Sequence, residues 1–140
     1  MTVMTQEYVI TVPNHSGCRA YAPGVDATRI ADEVLSWEGV TSHEHRFGGV
    51  EFRLGRRELG HLHGDPPRLA DLPFQRGIRD MLVETGRAQP HHVLPDSGWV
   101  SLPIRTDEDV DEAVALFRLS YERARVAAVR ATRASRSSAR

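Results

Sequence analysis

The chain predicts an α+β domain: a twisted antiparallel sheet of about five strands backed by helices, in the order α-β-β-β-α-β-β-α. Three observations carry this. Short runs with apolar residues at alternate positions recur between residues 40 and 63 and again at 99–104, separated by gaps too short for anything but antiparallel neighbours. Three other segments, beginning near residues 26, 71 and 106, place apolar residues at helical spacing. Three helices are too few to cover both faces of a five-stranded sheet, so they are expected on one face with the other partly open.

Each element has its own signal. Tyr8 to Val12 is β-branched and closed by Pro13, which allows an edge strand or disorder in an extension over residues 1–25. Asp26 reads as the N-cap of a helix to about Trp37, with Ile30, Val34 and Trp37 on one stripe and Gly39 beyond. The first strand is expected over 40–47. Gly48-Gly49 turns the chain into a second run, where Val50, Phe52 and Leu54 alternate with Glu51 and Arg53. Gly55-Arg56 turns it again into 57–63. Asp71 and Pro73 read as opening a second helix carrying Phe74, Ile78, Met81 and Leu82, stopped by Gly86. A hairpin follows, with arms at 88–94 and 99–104 around Pro95-Asp96-Ser97-Gly98. In its second arm Val100, Leu102 and Ile104 face one way, Trp99 and Ser101 the other.

The last helix has the clearest start. Thr106 and Asp109 form a capping-box pattern, and Asp107, Glu108 and Asp109 load the positive end of the helix dipole. Val110, Val114, Phe117, Tyr121 and Ala124 make its core stripe. Past about Ala131 the Ser/Arg/Ala-rich sequence points to fraying. The expected division is an extension at 1–25, a domain at 26–128 and a tail at 129–140.

Bulk properties exclude several classes. At 140 residues the chain holds one domain with a real core, and a net charge of −1 leaves no overall nucleic-acid footprint. Seven arginines against Glu122 alone between Arg118 and Arg140 keep open a nucleic-acid contact through the tail, against the reading of a solvated helix end. Cys18 is the single cysteine, so no internal disulfide or Cys-based zinc site can form. No apolar run approaches the ~18 residues that span a bilayer, and Met1 to Gln6 lacks a signal-peptide pattern. A cytoplasmic setting without membrane attachment is expected.

Two sets of residues point to chemistry. His61 and His63, two apart on a strand, share a face. With His91 or His92 they can supply an imidazole site for a divalent metal, zinc or iron, with Glu51 or Asp96 completing it. The competing reading has these rings bonding backbone and rim carboxylates. Trp99, Arg53, Glu51 and Ser101 fall on the open face as a platform for an anionic or aromatic small molecule: an indole to stack on, a guanidinium for the anion, a carboxylate to orient. Against this stands packing of Trp99 under the N-terminal segment, a protein partner or the second copy of a homodimer. Asp96-Ser97 beside the histidines lacks a nucleophile elbow, and turn chemistry accounts for it. The glycines form no dinucleotide fingerprint. No motif names a reaction, and whether the chain is an enzyme stays open.

Trp37-Glu38-Gly39-Val40, the run from His45 to Phe52, the run from Glu58 to Asp65 and the hairpin from His91 to Ser101 together resemble the small bacterial luciferase-domain proteins, over roughly residues 26–126. The resemblance implies little about activity. It brings no light-emitting reaction, flavin site or luciferin site to these residues. Ser97 to Ser101, with the acidic helix start and Leu119-Ser120-Tyr121, is similar more distantly to MmcQ/YjbR-like proteins, which implies a frataxin-like sheet and adds a DNA-binding role suggested for that group.

Overall fold

The computed structural model describes residues 25–46 and 48–139. The expected strand at 8–12 and Cys18 lie outside them. The elements are α1 (Thr28–Leu35), β1 (Val40–Glu44), β2 (Val50–Leu54), β3 (Arg57–His63), β4 (Leu69–Pro73), α2 (Arg76–Glu84), β5 (Gln89–Pro90), β6 (Trp99–Pro103) and α3 (Asp107–Ser138). The strands form one open sheet in the order β1-β2-β3-β4-β6-β5, and every neighbouring pair is antiparallel. The architecture is α+β, as the alternation and short turns require.

Alternation puts the core on one face. Phe52, Leu62, Leu72 and Val100 meet Ile30 and Val34 of α1, Leu82 of α2, and Leu116 and Phe117 of α3 in one buried cluster. Phe117 stands edge-on to Phe52, with ring centroids 5.5 Å apart. Opposite Phe52 the chain uses Gly60, at φ +146°, where an added Cβ would lie 2.8 Å from the Phe117 ring. α3 is fastened to the sheet by polar contacts as well. Ser120 donates to the Leu59 carbonyl at 2.8 Å, and the Tyr121 hydroxyl donates to the Glu38 carbonyl at 2.8 Å.

The structure corrects four local expectations. Residues 69–73 are a sheet strand, not the opening of a helix, which makes six strands. Pro67 and Pro73 bracket a run of strand length, and the helical stripe of Ile78 and Leu82 begins only at Arg76, after Gln75 in extended conformation. The hairpin arm at 88–94 pairs only at Gln89 and Pro90, because residues 91–98 turn away as a loop. Ala27, not Asp26, is the N-cap of α1, and Asp26 instead accepts a hydrogen bond from the Thr28 hydroxyl. α3 stays helical to Ser138, past the expected fraying point, in a stretch of good helix formers, Ala and Arg.

The capping box of α3 is complete: Thr106 Oγ1 accepts from Asp109 N–H at 3.1 Å, and the Asp109 carboxylate accepts from Thr106 N–H at 3.1 Å. Thr106→Ala is expected to cost about 1 kcal/mol. A urea midpoint unchanged from wild type would show that Asp109 alone secures the helix start.

Candidate functional site

The face away from the helices carries a row of polar side chains at the level of the sheet centre. Cross-strand register aligns His43 of β1, Glu51 of β2, His61 of β3, Asp71 of β4, Ser101 of β6 and Gln89 of β5. One step along, His63 on β3 and Trp99 on β6 share that face by two-residue periodicity. Asp71 sits at the centre with 0 % of its surface exposed. An apolar residue there would satisfy the fold alone, so a carboxylate needs compensation.

Compensation comes from five side chains, the most distant being His92, with Nδ1 3.6 Å from Asp71 Oδ1. The Ser101 hydroxyl donates to Asp71 Oδ1 at 2.5 Å. His63 Nε2 lies 2.8 Å from Asp71 Oδ2, and His61 Nε2 and His91 Nε2 each lie 3.4 Å from the same oxygen. Burial alone would raise the carboxyl's pKa, but hydrogen bonds from His61, His63 and Ser101 hold it far below the usual carboxylate range. Burial likewise pulls His61 down. Asp71 and Glu58, one at each ring nitrogen, outweigh it and push His61 up to about 9. At neutral pH the site therefore holds a buried imidazolium between two carboxylates.

A β-bulge makes that clamp possible. Phe52 faces Gly60 while Arg53 faces Glu58, so Leu59 is the extra residue. Glu58 and His61 are three apart and would point to opposite faces of a regular strand. With the bulge between them, Glu58 Oε1 reaches His61 Nδ1 at 2.6 Å.

The remaining groups form walls. His45 stacks on His61 with centroids 3.8 Å apart, and burial, then the neighbouring charge of His61, lowers its pKa. His91 Nδ1 accepts from the backbone N–H groups of Val93 and Leu94 at 3.2 and 3.0 Å. Burial depresses its pKa as well. A neutral ring whose Nδ1 is an acceptor carries its proton on Nε2, the nitrogen facing Asp71. His92 is more exposed, with Nδ1 3.3 Å from Ser101 Oγ. Trp99 lies 5.5 Å from the His61 ring and 5.7 Å from His91 by centroid. Arg53 bonds Glu51 through Nε, which lowers the Glu51 pKa. Together these side chains line a cavity of about 860 Å³, rimmed by Val93 and Leu94.

Residues 56–120 match the family model described as the luciferase domain. The luciferase-domain segment runs from the β2–β3 turn into the first half of α3 and contains Glu58, His61, His63, Asp71, His91, His92, Trp99 and Ser101. Glu51, Arg53 and His45 complete the cavity from outside it. The family resemblance drawn from the motifs thus holds over this segment. No curated protein and no solved structure matches the chain, and the MmcQ/YjbR likeness stands as an expectation.

Of the residues singled out from sequence, His61, His63, His91, His92, Trp99, Arg53 and Glu51 all line the cavity. Ser101 is buried beneath it and holds Asp71. Asp96 is exposed on the 91–98 loop and does not line the cavity. Ser97 Oγ donates to the Leu94 carbonyl at 2.7 Å and accepts from Trp99 N–H at 3.1 Å, which is turn chemistry. Sequence reasoning missed Asp71, Glu58 and His45. Asp71 had one signal: it is the lone acidic residue in the run between Pro67 and Pro73.

Proposed function

We propose that the protein binds a small organic anion with a planar ring in the open-face cavity, and that the Asp71–histidine cluster is the reactive floor of that site. The observation that carries this reading is the gathering of five imidazoles and an indole around one buried carboxylate. Burying that carboxylate costs several kcal/mol before compensation, an expense a purely structural sheet face has no need of. Perturbed titratable groups converging in a concave pocket are the usual mark of a functional site.

Each wall residue has a role in this reading. The Trp99 indole and the neighbouring imidazoles offer flat faces for a ring. Arg53 spends Nε on Glu51, and its terminal amino groups serve a carboxylate or enolate. The cluster exchanges protons with the bound molecule, since it holds a charged imidazole (His61) beside neutral ones (His45, His91). A cytoplasmic, reducing setting belongs to the same proposal, from Cys18 as the single cysteine.

Two tryptophans are present, so Trp37→Phe isolates Trp99 emission. Titration of that variant with hydroxybenzoates, benzoate and aliphatic carboxylates is expected to quench Trp99 saturably, the aromatic acids binding tightest. Arg53→Ala should weaken binding roughly tenfold or more, the worth of a hydrogen bond to a charged group. Emission that ignores both the panel and acrylamide would mean a sealed indole and no site.

A further inference from the structure

We propose that His61 Nε2, His63 Nε2 and Asp71 Oδ2 form a binding site for one divalent first-row transition ion, zinc or iron(II). The three donors lie on the two central, mutually paired strands β3 and β4, and all are within 4.8 Å of one another. The two imidazole nitrogens stand 3.4 and 2.8 Å from the carboxylate oxygen. Ligands bound at 2.0–2.2 Å to one ion are themselves about 3 to 3.5 Å apart, so the strands already hold the edges of a coordination polyhedron.

Which nitrogen and which oxygen are available sharpens the assignment. Glu58 takes the Nδ1 side of His61, the carboxylate–histidine arrangement that fixes a ring to ligate through Nε2. The bulge at Leu59 turns Glu58 to this face. Ser101 occupies Asp71 Oδ1, which leaves Oδ2 as a single-oxygen ligand. His91 is excluded although it is as close to Oδ2 as His61. Its Nδ1 faces two backbone N–H groups, so its Nε2 carries the proton and can donate to Asp71 but not bind an ion. His91 is a positioning residue here.

Two imidazoles and one carboxylate leave open coordination positions, the pattern of non-haem iron(II) sites and also acceptable to zinc. Those positions face the cavity, so capture of an organic anion by the ion rests on the proposed function. Occupancy by the ion does not.

Full-length protein stripped with a chelator and titrated with cobalt(II), without any organic ligand, tests the site. One equivalent is expected, with a d–d absorption band, quenching of Trp99 and displacement by zinc. Anaerobic iron(II) competition then ranks the two native candidates. His63→Ala and Asp71→Asn should weaken cobalt binding at least a hundredfold and Glu58→Gln tenfold to a hundredfold. His91→Ala should leave it within a few-fold. X-ray absorption of the cobalt-loaded wild type, expected to show two imidazoles, decides the matter should a variant fail to fold. No binding at millimolar cobalt, an imidazole-free first shell, or a loss with His91→Ala equal to that with His63→Ala would each overturn the proposal. Absence of cobalt binding would leave the hydroxybenzoate titration intact, and the reverse also holds.

Discussion

Asp71→Ala is expected to destabilise the metal-free protein by about 3–5 kcal/mol, the usual cost of removing one partner from a buried charged network. Asp71 is fully buried and answers five groups: the Ser101 hydroxyl, the Nε2 atoms of His61, His63 and His91, and the Nδ1 of His92. Its removal leaves the His61 imidazolium with Glu58 alone and the Ser101 donor without its acceptor. Relief of Asp71's own desolvation offsets part of this, which keeps the loss below the sum of the contacts. Asp71→Asn, which keeps shape and an acceptor for Ser101, should cost less. Urea unfolding of chelator-treated protein measures both. A loss below about 1 kcal/mol for alanine would mean that Asp71 is not the hub, since even exposed pairs reach that figure.

The second large effect is on the pH dependence of stability. His61 titrates at about 9 in the fold against 6.5 for the free side chain. Its stabilisation is complete below 6.5, declines between 6.5 and about 9, and is absent above, a fall on the order of 3 kcal/mol at 1.36 kcal/mol per pKa unit. Toward acid the signs reverse. His45 and His91 have lowered values and stay neutral in the fold, so each penalises folding as pH drops below 6.5. Asp71's contribution is present above 3.8 and is lost as pH falls below that. Stability should therefore peak near pH 6.5. His61 and Asp71 share one contact, so their two contributions do not add. Urea midpoints measured across the range should fall on the alkaline side, and His61→Gln should abolish that fall. A wild-type profile flat between 6.5 and 9 would contradict the clamp.

Local pattern carried most of the sheet. The alternation of Val50, Phe52 and Leu54 with Glu51 and Arg53, and the Trp99/Ser101 parity, assign faces that the cross-strand register reproduces. The Thr106 cap was equally visible, because its partner is three residues away. What stayed hidden is non-local. Asp71 looks like a helix opener until β4 is paired between β3 and β6, since only that pairing shows its side chain surrounded by imidazoles. Glu58 has the wrong parity for the His61 face, and a bulge leaves no mark in a single sequence beyond Gly60. His45 reaches the site from the end of β1, two strands away from His61, through a turn whose course the residues do not dictate. The 91–98 loop misled in the other direction: its turn residues suggested a regular hairpin, while His91 used its own ring to bind the backbone beyond it.

Imidazole ¹⁵N spectra of histidine-labelled, metal-free protein across a pH titration reach the centre of this account most directly. The predicted result is one ring, assigned through His61→Gln, protonated on both nitrogens to about pH 9, beside a second that stays neutral with its proton on Nε2 and disappears in His91→Ala. All the imidazoles titrating together near 6.5, the value of an isolated ring, would contradict it.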